Sequence, residues 1–341
     1  MFLLSASHPR ASGVDRRLAL CLDWGMFLAR LILIRVATAS GVLLAISILL
    51  FFAIETLPGD LASETASRFT PEDQIAFARE QLGLNAHPVR RYLAWIGAAA
   101  RGDFGTSFYS RGDIAPMLAE RLGNTALLAG FAAAMAIPAG FVAAVISVIA
   151  RGGIFDRGMT VVSLAVISMP EFLIAYLLMT VFVVIYPVFP AHTIFYDDMA
   201  RSSRLAAMVL PAATLAVVGF APVLRISRAS LINVLASGYV ETARLKGLPI
   251  WRIVLVHALP NALPPIINMV VLLIAHFLVG AFIVEQIFSY PGIGKAMIAA
   301  VKFRDIPLVL ATGLVFAVFF VTLNLLADVI SLLVTPRART S

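Results

Sequence analysis

Residues 239–265 read YVETARLKGLPIWRIVLVHALPNALPP, a stretch with charge, a helix breaker and several prolines set between two long apolar runs. Ser237 is a fitting N-cap for a helix over residues 238–246, because its side-chain oxygen can take one of the first free N–H groups. Gly247 is a natural left-handed stop, and Pro249 suits the start of a second short helix ending near Leu259. On the first helix Ala236, Val240, Ala243 and Gly247 fall on one narrow face, while Glu241 and Arg244 sit away from it at a spacing that allows pairing. The second helix is apolar almost all round, Arg252 and His257 apart. Such a helix has to be covered by something. Pro260, Pro264 and Pro265 then remove backbone donors where the chain enters the next apolar run, which suits a bend.

The flanking runs decide the class. The 341 residues are 61% hydrophobic and 13% charged, whereas about 25% charged is usual for a soluble domain. Uncharged runs cover residues 36–54, 122–150, 205–224, 258–284 and 306–327, and about 20 apolar residues cross a bilayer. Another, 158–188, is interrupted only by Glu171. The expected fold is all-α: a polytopic membrane protein with six transmembrane helices and both termini on one side.

Lys and Arg choose the side. The face carrying the termini holds 14 of them and the other face 12. Long loops translocate whatever their charge, and without residues 55–121 the balance is 14 against 5. Both termini are therefore expected in the cytoplasm, and residues 239–265 with them. The net charge of +7 follows from this sorting. It does not indicate nucleic-acid binding, which needs cations clustered on a soluble face. With no cytoplasmic domain in the chain to cover the second short helix, a partner protein is required.

The expected organisation is a cytoplasmic lead-in over 1–30, a first transmembrane helix over 31–56, an extracytoplasmic helical loop over 57–121, a five-helix core over 122–334 that includes the loop 225–263, and a cytoplasmic tail over 335–341. The lead-in has an amphipathic pattern over 18–33. In the extracytoplasmic loop, Thr70-Pro71-Glu72-Asp73 reads as the start of a helix running to Leu82, and a second helix spans about 88–100. Few β-branched residues make this loop a helical cap rather than an enzyme domain. The single cysteine, Cys21, excludes an intrachain disulfide, and the N-terminus lacks the order of a cleaved signal.

Candidate chemistry is sparse. Pro291-Gly292-Ile293-Gly294-Lys295 has the look of a phosphate loop, but Ala296 stands where Ser or Thr is needed, so a turn before a short helix is the better reading. The five histidines show no metal-binding spacing. Glu171 is a carboxylate within a span, and such groups face a cavity or a partner; it is a candidate for the translocation pathway or a polar group at a helix break. His276, in mid-span, has the same two readings, pathway or packing. Asp328 and Asn324 are expected to bond between helices. Ala132, Ala133, Ala134, Ala136, Ala139 and Gly140 allow close packing and also leave room for a wide cavity.

Glu241-Thr242-Ala243-Arg244-Leu245-Lys246-Gly247 resembles the E-A-A-x-x-x-G coupling motif of permeases from binding-protein-dependent ABC importers. Tyr239-Val240, His257-Ala258-Leu259 and Asn261-Ala262-Leu263 extend the resemblance to the dipeptide/oligopeptide branch. So do Leu57-Pro58-Gly59-Asp60, Gly102-Asp103-Phe104-Gly105-Thr106-Ser107, Ser168-Met169-Pro170-Glu171-Phe172, Val284-Glu285 with Phe288–Gly294, and Asp305-Ile306-Pro307. Thr242 in place of the motif's middle Ala, Asn233 and Gly238 in place of acids, and Pro260 in place of a basic residue are departures that bear on the fit to a particular ATPase.

The resemblance implies a permease subunit of the bacterial inner membrane whose two short helices dock on a cytoplasmic ATPase through Tyr239, Glu241, Thr242, Ala243, Arg244, Lys246 and Gly247. It further implies a second homologous permease forming a heterodimer, two ATPase subunits that bind ATP and magnesium, and an extracytoplasmic solute-binding protein. No cofactor or metal is expected in this chain, whose other surroundings are membrane lipids. Di- or oligopeptides, or peptide-like solutes, are the expected cargo. The main alternative is an ion-coupled secondary transporter, which would need several buried acids in broken spans; a membrane-embedded hydrolase lacks any nucleophile–base pair.

Overall fold

The computed structural model describes residues 13–56, 86–193, 195 and 201–334, with side chains for 30–56, 86–193, 195 and 203–330. Helix α1 (Gly13–Glu55) is unbroken, so the expected lead-in continues into the span as one helix, whose membrane-length apolar part is Arg30–Glu55. No proline occurs between residues 10 and 57, and nothing interrupts the ladder there. The turn at 57–60 and the helix at 70–82 lie outside the described residues. Helix α2 (Pro88–Ala99) carries Pro88 in its first turn, as expected.

There follow α3 (Ile114–Ile149), α4 (Ile154–Ser168) and α5 (Glu171–Met179), the last prolonged by a wide π turn over Thr180–Ile185. The rest is α6 (Arg201–Leu235), α7 (Gly238–Leu245), α8 (Ile250–Ile287), α9 (Ile293–Lys302) and α10 (Ile306–Val334). Among the described residues the only β pairing is an isolated bridge between Thr106 and Asp113.

Five stretches are long and apolar enough to cross a membrane: Arg30–Glu55, Ile114–Ile149, Ser203–Leu235, Ile250–Ile287 and Ile306–Ile330. The expected sixth, over 158–188, is not one straight helix. Helices α4 and α5 meet at 107°. Proline disfavours a helical conformation in the residue before it, and Met169 is extended (φ −93°, ψ 133°). The ladder stops at Ser168 and restarts at Glu171.

A second correction concerns residues 250–259. They form no separate helix but the first turns of α8, which runs on continuously through the prolines. Just before Pro260 the helix widens into a π turn over Ile253–Ala258, with the Leu259 N–H reaching the Val254 carbonyl, a local widening of the kind that relieves a disturbed ladder. Part of this apolar segment is covered by the chain itself, because Ile253, Val254 and Ala258 are buried against Val148, Leu231, Leu235, Val240 and Ala243. A partner is not needed for that face. Trp251, Leu255 and Val256 remain exposed.

The core is made by α3, α6 and α8. In lipid, apolar helices gain little by hiding from each other, so small residues that let backbones approach supply the contact energy. A β-carbon on Gly219 would lie 2.3 Å from the Phe277 ring, and one on Gly140 2.8 Å from Val223. Ala132, Ala133, Ala136 and Gly140 are packed away, and Ala134 and Ala139 are exposed. Ala132, Ala133, Ala136 and Gly140 thus serve close packing within the chain.

Helix α1 lies at the margin against α10, joined by an ion pair between Arg35 and Asp328 at 2.9 Å. Asp328 therefore bonds between helices as expected. Asn324 does not: it donates to the Phe320 carbonyl of its own helix at 2.8 Å. Helix α2 is pinned to α1 by Arg91–Glu55 at 2.8 Å and by Ser47–Tyr92 at 2.8 Å. One end of the bundle is closed by Val148, Leu231, Val240 and Ile253, and the other by Ile114, Leu118, Ile293 and Leu308.

Candidate functional site

At the first of these ends α7 is held as a short, well-terminated element. The Ser237 hydroxyl donates to the Val234 carbonyl at 2.5 Å and does not cap α7. The C-terminal stop is as read from sequence. Gly247 has φ +76°, its N–H reaches the Arg244 carbonyl at 2.9 Å, and the Leu248 N–H reaches Ala243 at 3.4 Å. These two bonds are the Schellman pattern, which satisfies the last carbonyls of a helix. Val240 and Ala243 are buried inward, while Glu241, Thr242, Arg244, Lys246 and Gly247 face out. Glu241 and Arg244 form no ion pair, contrary to the expectation from their spacing. Tyr239 joins α7 to α8: its hydroxyl donates to the His257 carbonyl at 3.3 Å and accepts from Asn261 Nδ2 at 2.8 Å. With Leu245 83% and Trp251 54% exposed, the outer surface here mixes charge with large apolar groups.

Glu171 and His276, read separately in the sequence, meet. Glu171 opens α5 after the broken turn, and its Oε1 lies 3.1 Å from His276 Nε2 on α8. Room for the carboxylate is made by Gly280, where a β-carbon would come 2.7 Å from Glu171 Oε2. His276 remains about half exposed on a face with Leu272, Val279 and Ile283. The signals were an acid after a mid-span proline and a histidine in an apolar run; the pairing itself has none.

At the opposite end, Glu285 was not singled out for chemistry, yet it is fully buried. It accepts from Thr125 Oγ1 at 2.5 Å, from the Gly294 N–H at 2.8 Å and from the Lys295 N–H at 3.1 Å. The sequence that resembles a phosphate loop does cradle an anion, and the anion is this chain's own carboxylate at the N-terminus of α9. Gly292 and Gly294 are required by that approach, since a β-carbon on Gly292 would lie 2.0 Å from Glu285 Oε1. The Tyr290 hydroxyl donates to the Asn124 carbonyl at 2.7 Å, and Asn124 Nδ2 donates back to Pro291 at 2.9 Å. Burial raises the Tyr290 hydroxyl pKa further. Nearby, Ser107 Oγ donates to the buried Asp305 at 2.5 Å, fastening the 102–107 turn to the start of α10.

A second buried acid also went unread. Asp156, near the start of α4, receives two bonds from Arg228 of α6, at 2.7 and 2.9 Å. Among the described residues no group of three or more His, Cys, Asp or Glu is placed to hold a metal ion.

A mainly helical bundle with five membrane-length helices and one broken span among the described residues defines a polytopic membrane protein. Residues 136–340 match the family model described as "Binding-protein-dependent transport system inner membrane component", and residues 28–129 match its N-terminal companion. The chain belongs to this family, the permease subunits of ABC importers, which are neither enzymes nor secondary transporters. It is 32% identical over 311 residues to a Brucella abortus (strain 2308) protein named "Putative peptide transport system permease protein", covering 91% of this chain and 98% of the relative. It is 33% identical over 297 residues to the "Glutathione transport system permease protein GsiC" of Escherichia coli (strain K12), covering 87% and 94%.

Proposed function

We propose that this permease carries peptides or peptide-like amphoteric solutes across a bacterial inner membrane, with both termini in the cytoplasm. The reading of the cargo is supported by the names of relatives aligned over nearly the whole chain, one for peptides and one for glutathione. A second, homologous permease completes the pathway as a heterodimer. Two cytoplasmic ATPases bind ATP and magnesium, and a solute-binding protein delivers cargo at the α9 end.

The observation that carries the coupling role is the construction of α7. Anchored by Val240 and Ala243 and stopped at Gly247, it holds Tyr239, Glu241, Thr242, Arg244 and Lys246 at the surface as a firm projection. The ATPase docks there and on the exposed Trp251, in place of the separate second helix expected from sequence. ATP-driven closure pushes α7 and switches the pathway between inward- and outward-facing states. Glu171 and His276 form a polar pair on that pathway, at the break between α4 and α5, where a charged solute gains a partner in an apolar route.

The test is uptake by the complete importer in proteoliposomes, with radiolabelled di-, tri- and oligopeptides and glutathione. Exchanging only the binding protein for a relative of different specificity that docks is expected to redirect uptake to the new ligand. If the old solute is still carried, selectivity lies in the spans, and Glu171→Gln becomes the variant to compare. Transport of none of these solutes, with sugars or metal chelates carried instead, overturns the cargo assignment.

A further inference from the structure

The pair Asp156–Arg228, its carboxylate buried and its guanidinium partly exposed, joins the two helices that lead to the two functional regions. Asp156 is 4% exposed. Arg228 Nε donates to Oδ1 at 2.7 Å and Nη2 to Oδ2 at 2.9 Å, and the Gly152 N–H adds a third bond to Oδ2 at 3.0 Å. One carboxylate thus binds α4, α6 and the α3–α4 turn together. A two-point fork resists rotation as well as separation, where a lysine ammonium would leave a pivot. Stability alone does not call for such a pair, because buried ion pairs are often replaced by well-packed apolar groups without loss. What an apolar contact cannot supply is a set orientation between the helices.

The elements on either side give that orientation a use. From Asp156, α4 runs about 18 Å, at 1.5 Å per residue, to the break beyond which Glu171 meets His276. From Arg228, α6 runs about 10 Å on the same rise to Leu235, and Leu231 and Leu235 share one buried cluster with Val240 and Ala243 of α7. Pro222, inside α6, leaves the ladder one bond short on the far side of Arg228 from α7. The last turns of α6 are fastened to α4 through this fork while their Leu231 and Leu235 lie in the buried cluster that holds α7.

We propose that Asp156 and Arg228 are positioning residues of the transport cycle: their fork makes α4 and the end of α6 one rigid piece, so displacement of α7 is delivered to the α4–α5 break and the Glu171–His276 pair. This rests on the reading of α7 as the ATPase-facing element.

The experiment uses the complete importer in proteoliposomes and reads four quantities: co-purification of the ATPases, thermal stability, basal ATP hydrolysis, and solute carried per ATP hydrolysed. Three variants are compared, Arg228→Lys, the apolar pair Asp156→Leu with Arg228→Met, and Gly247→Val. In the first two, assembly, stability and basal hydrolysis are expected to hold, while solute carried per ATP falls by about tenfold, the scale set by one charge-assisted hydrogen bond. The Lys variant is expected to retain more transport than the apolar pair. Wild-type transport per ATP in either variant overturns the proposal, as does a loss that only tracks falling stability and assembly in both. Retained transport in Gly247→Val, by contrast, overturns the reading of α7 itself.

Discussion

Thr125 of α3 and Glu285 of α8 share a 2.5 Å hydrogen bond, the hydroxyl donating to the carboxylate. The same hydroxyl oxygen accepts the Ile293 N–H at 3.0 Å, so one threonine serves both the acid and the helix start that cradles it. Removing the charge leaves two N–H groups facing an amide that can satisfy only part of them. Glu285→Gln is expected to lower stability by about 1–3 kcal/mol, the cost of a buried polar group left short of a partner. Gly292→Ala is expected to cost more, because its β-carbon would overlap the carboxylate. Thermal unfolding of the purified subunit in detergent checks both, and an unchanged midpoint for Gly292→Ala would mean the loop does not clasp Glu285.

Gly247 offers a separation of strain from contact. Its φ of +76° disfavours any β-carbon by roughly 1–2 kcal/mol, yet a β-carbon there meets nothing within 4 Å. Gly247→Val is therefore expected to insert normally while losing transport and binding its ATPase poorly. Membrane fractionation and pull-down with the ATPase read the two effects apart. Normal uptake in this variant would remove α7 from the coupling path.

Sidedness is open to chemical labelling. With Cys21→Ser as background, Arg111→Cys is expected to react with an impermeant maleimide in intact cells whose outer barrier is opened. Lys246→Cys is expected to react only after the inner membrane is permeabilised. Both side chains are exposed, so access to the reagent is decided by topology. Reversed labelling would invert the assigned orientation.

Lys295 supplies a pH test. Burial, and then the charge of Arg121, hold its ammonium below the usual 10.5. A base with a lowered folded pKa loses its proton first in the native state, so the unfolded chain binds more protons between the lowered value and 10.5 and stability rises with pH there. Below that interval the penalty is present in full. The unfolding midpoint is expected to climb as alkaline pH is approached, and Lys295→Met is expected to flatten the climb. An equal slope in both proteins would mean another group titrates.

The membrane class, the order of the long helices and the Gly247 stop are all legible in the sequence. Each depends on neighbours in sequence: mean hydropathy over a window of about 20 residues, or the φ freedom of one glycine. The double reading of Pro170-Glu171 was legible as a break but not as a 107° turn, because a proline interrupts the ladder while packing decides the angle. The same local rules went astray at residues 250–265. There three prolines argued for a short helix and a bend, and burial of Ile253, Val254 and Ala258 against α6 and α7 accompanies a continuous helix.

Polar partnerships lay beyond the reach of the string. Thr125 and Glu285 are 160 positions apart, and Arg228 and Asp156 are 72 apart; neither separation leaves a trace in periodicity or composition. An acid in an apolar run announces only that it must find a partner, since leaving it unpaired in a low-dielectric interior costs several kcal/mol. Which donor answers is settled when helices pack at distances their small residues permit, and that is a property of the assembled bundle. Hydropathy, summed along the chain, chose the membrane and the helices; the directional bonds of Glu285, Asp156 and Glu171 were decided only by tertiary structure, because a hydrogen bond needs two groups within about 3 Å and in line.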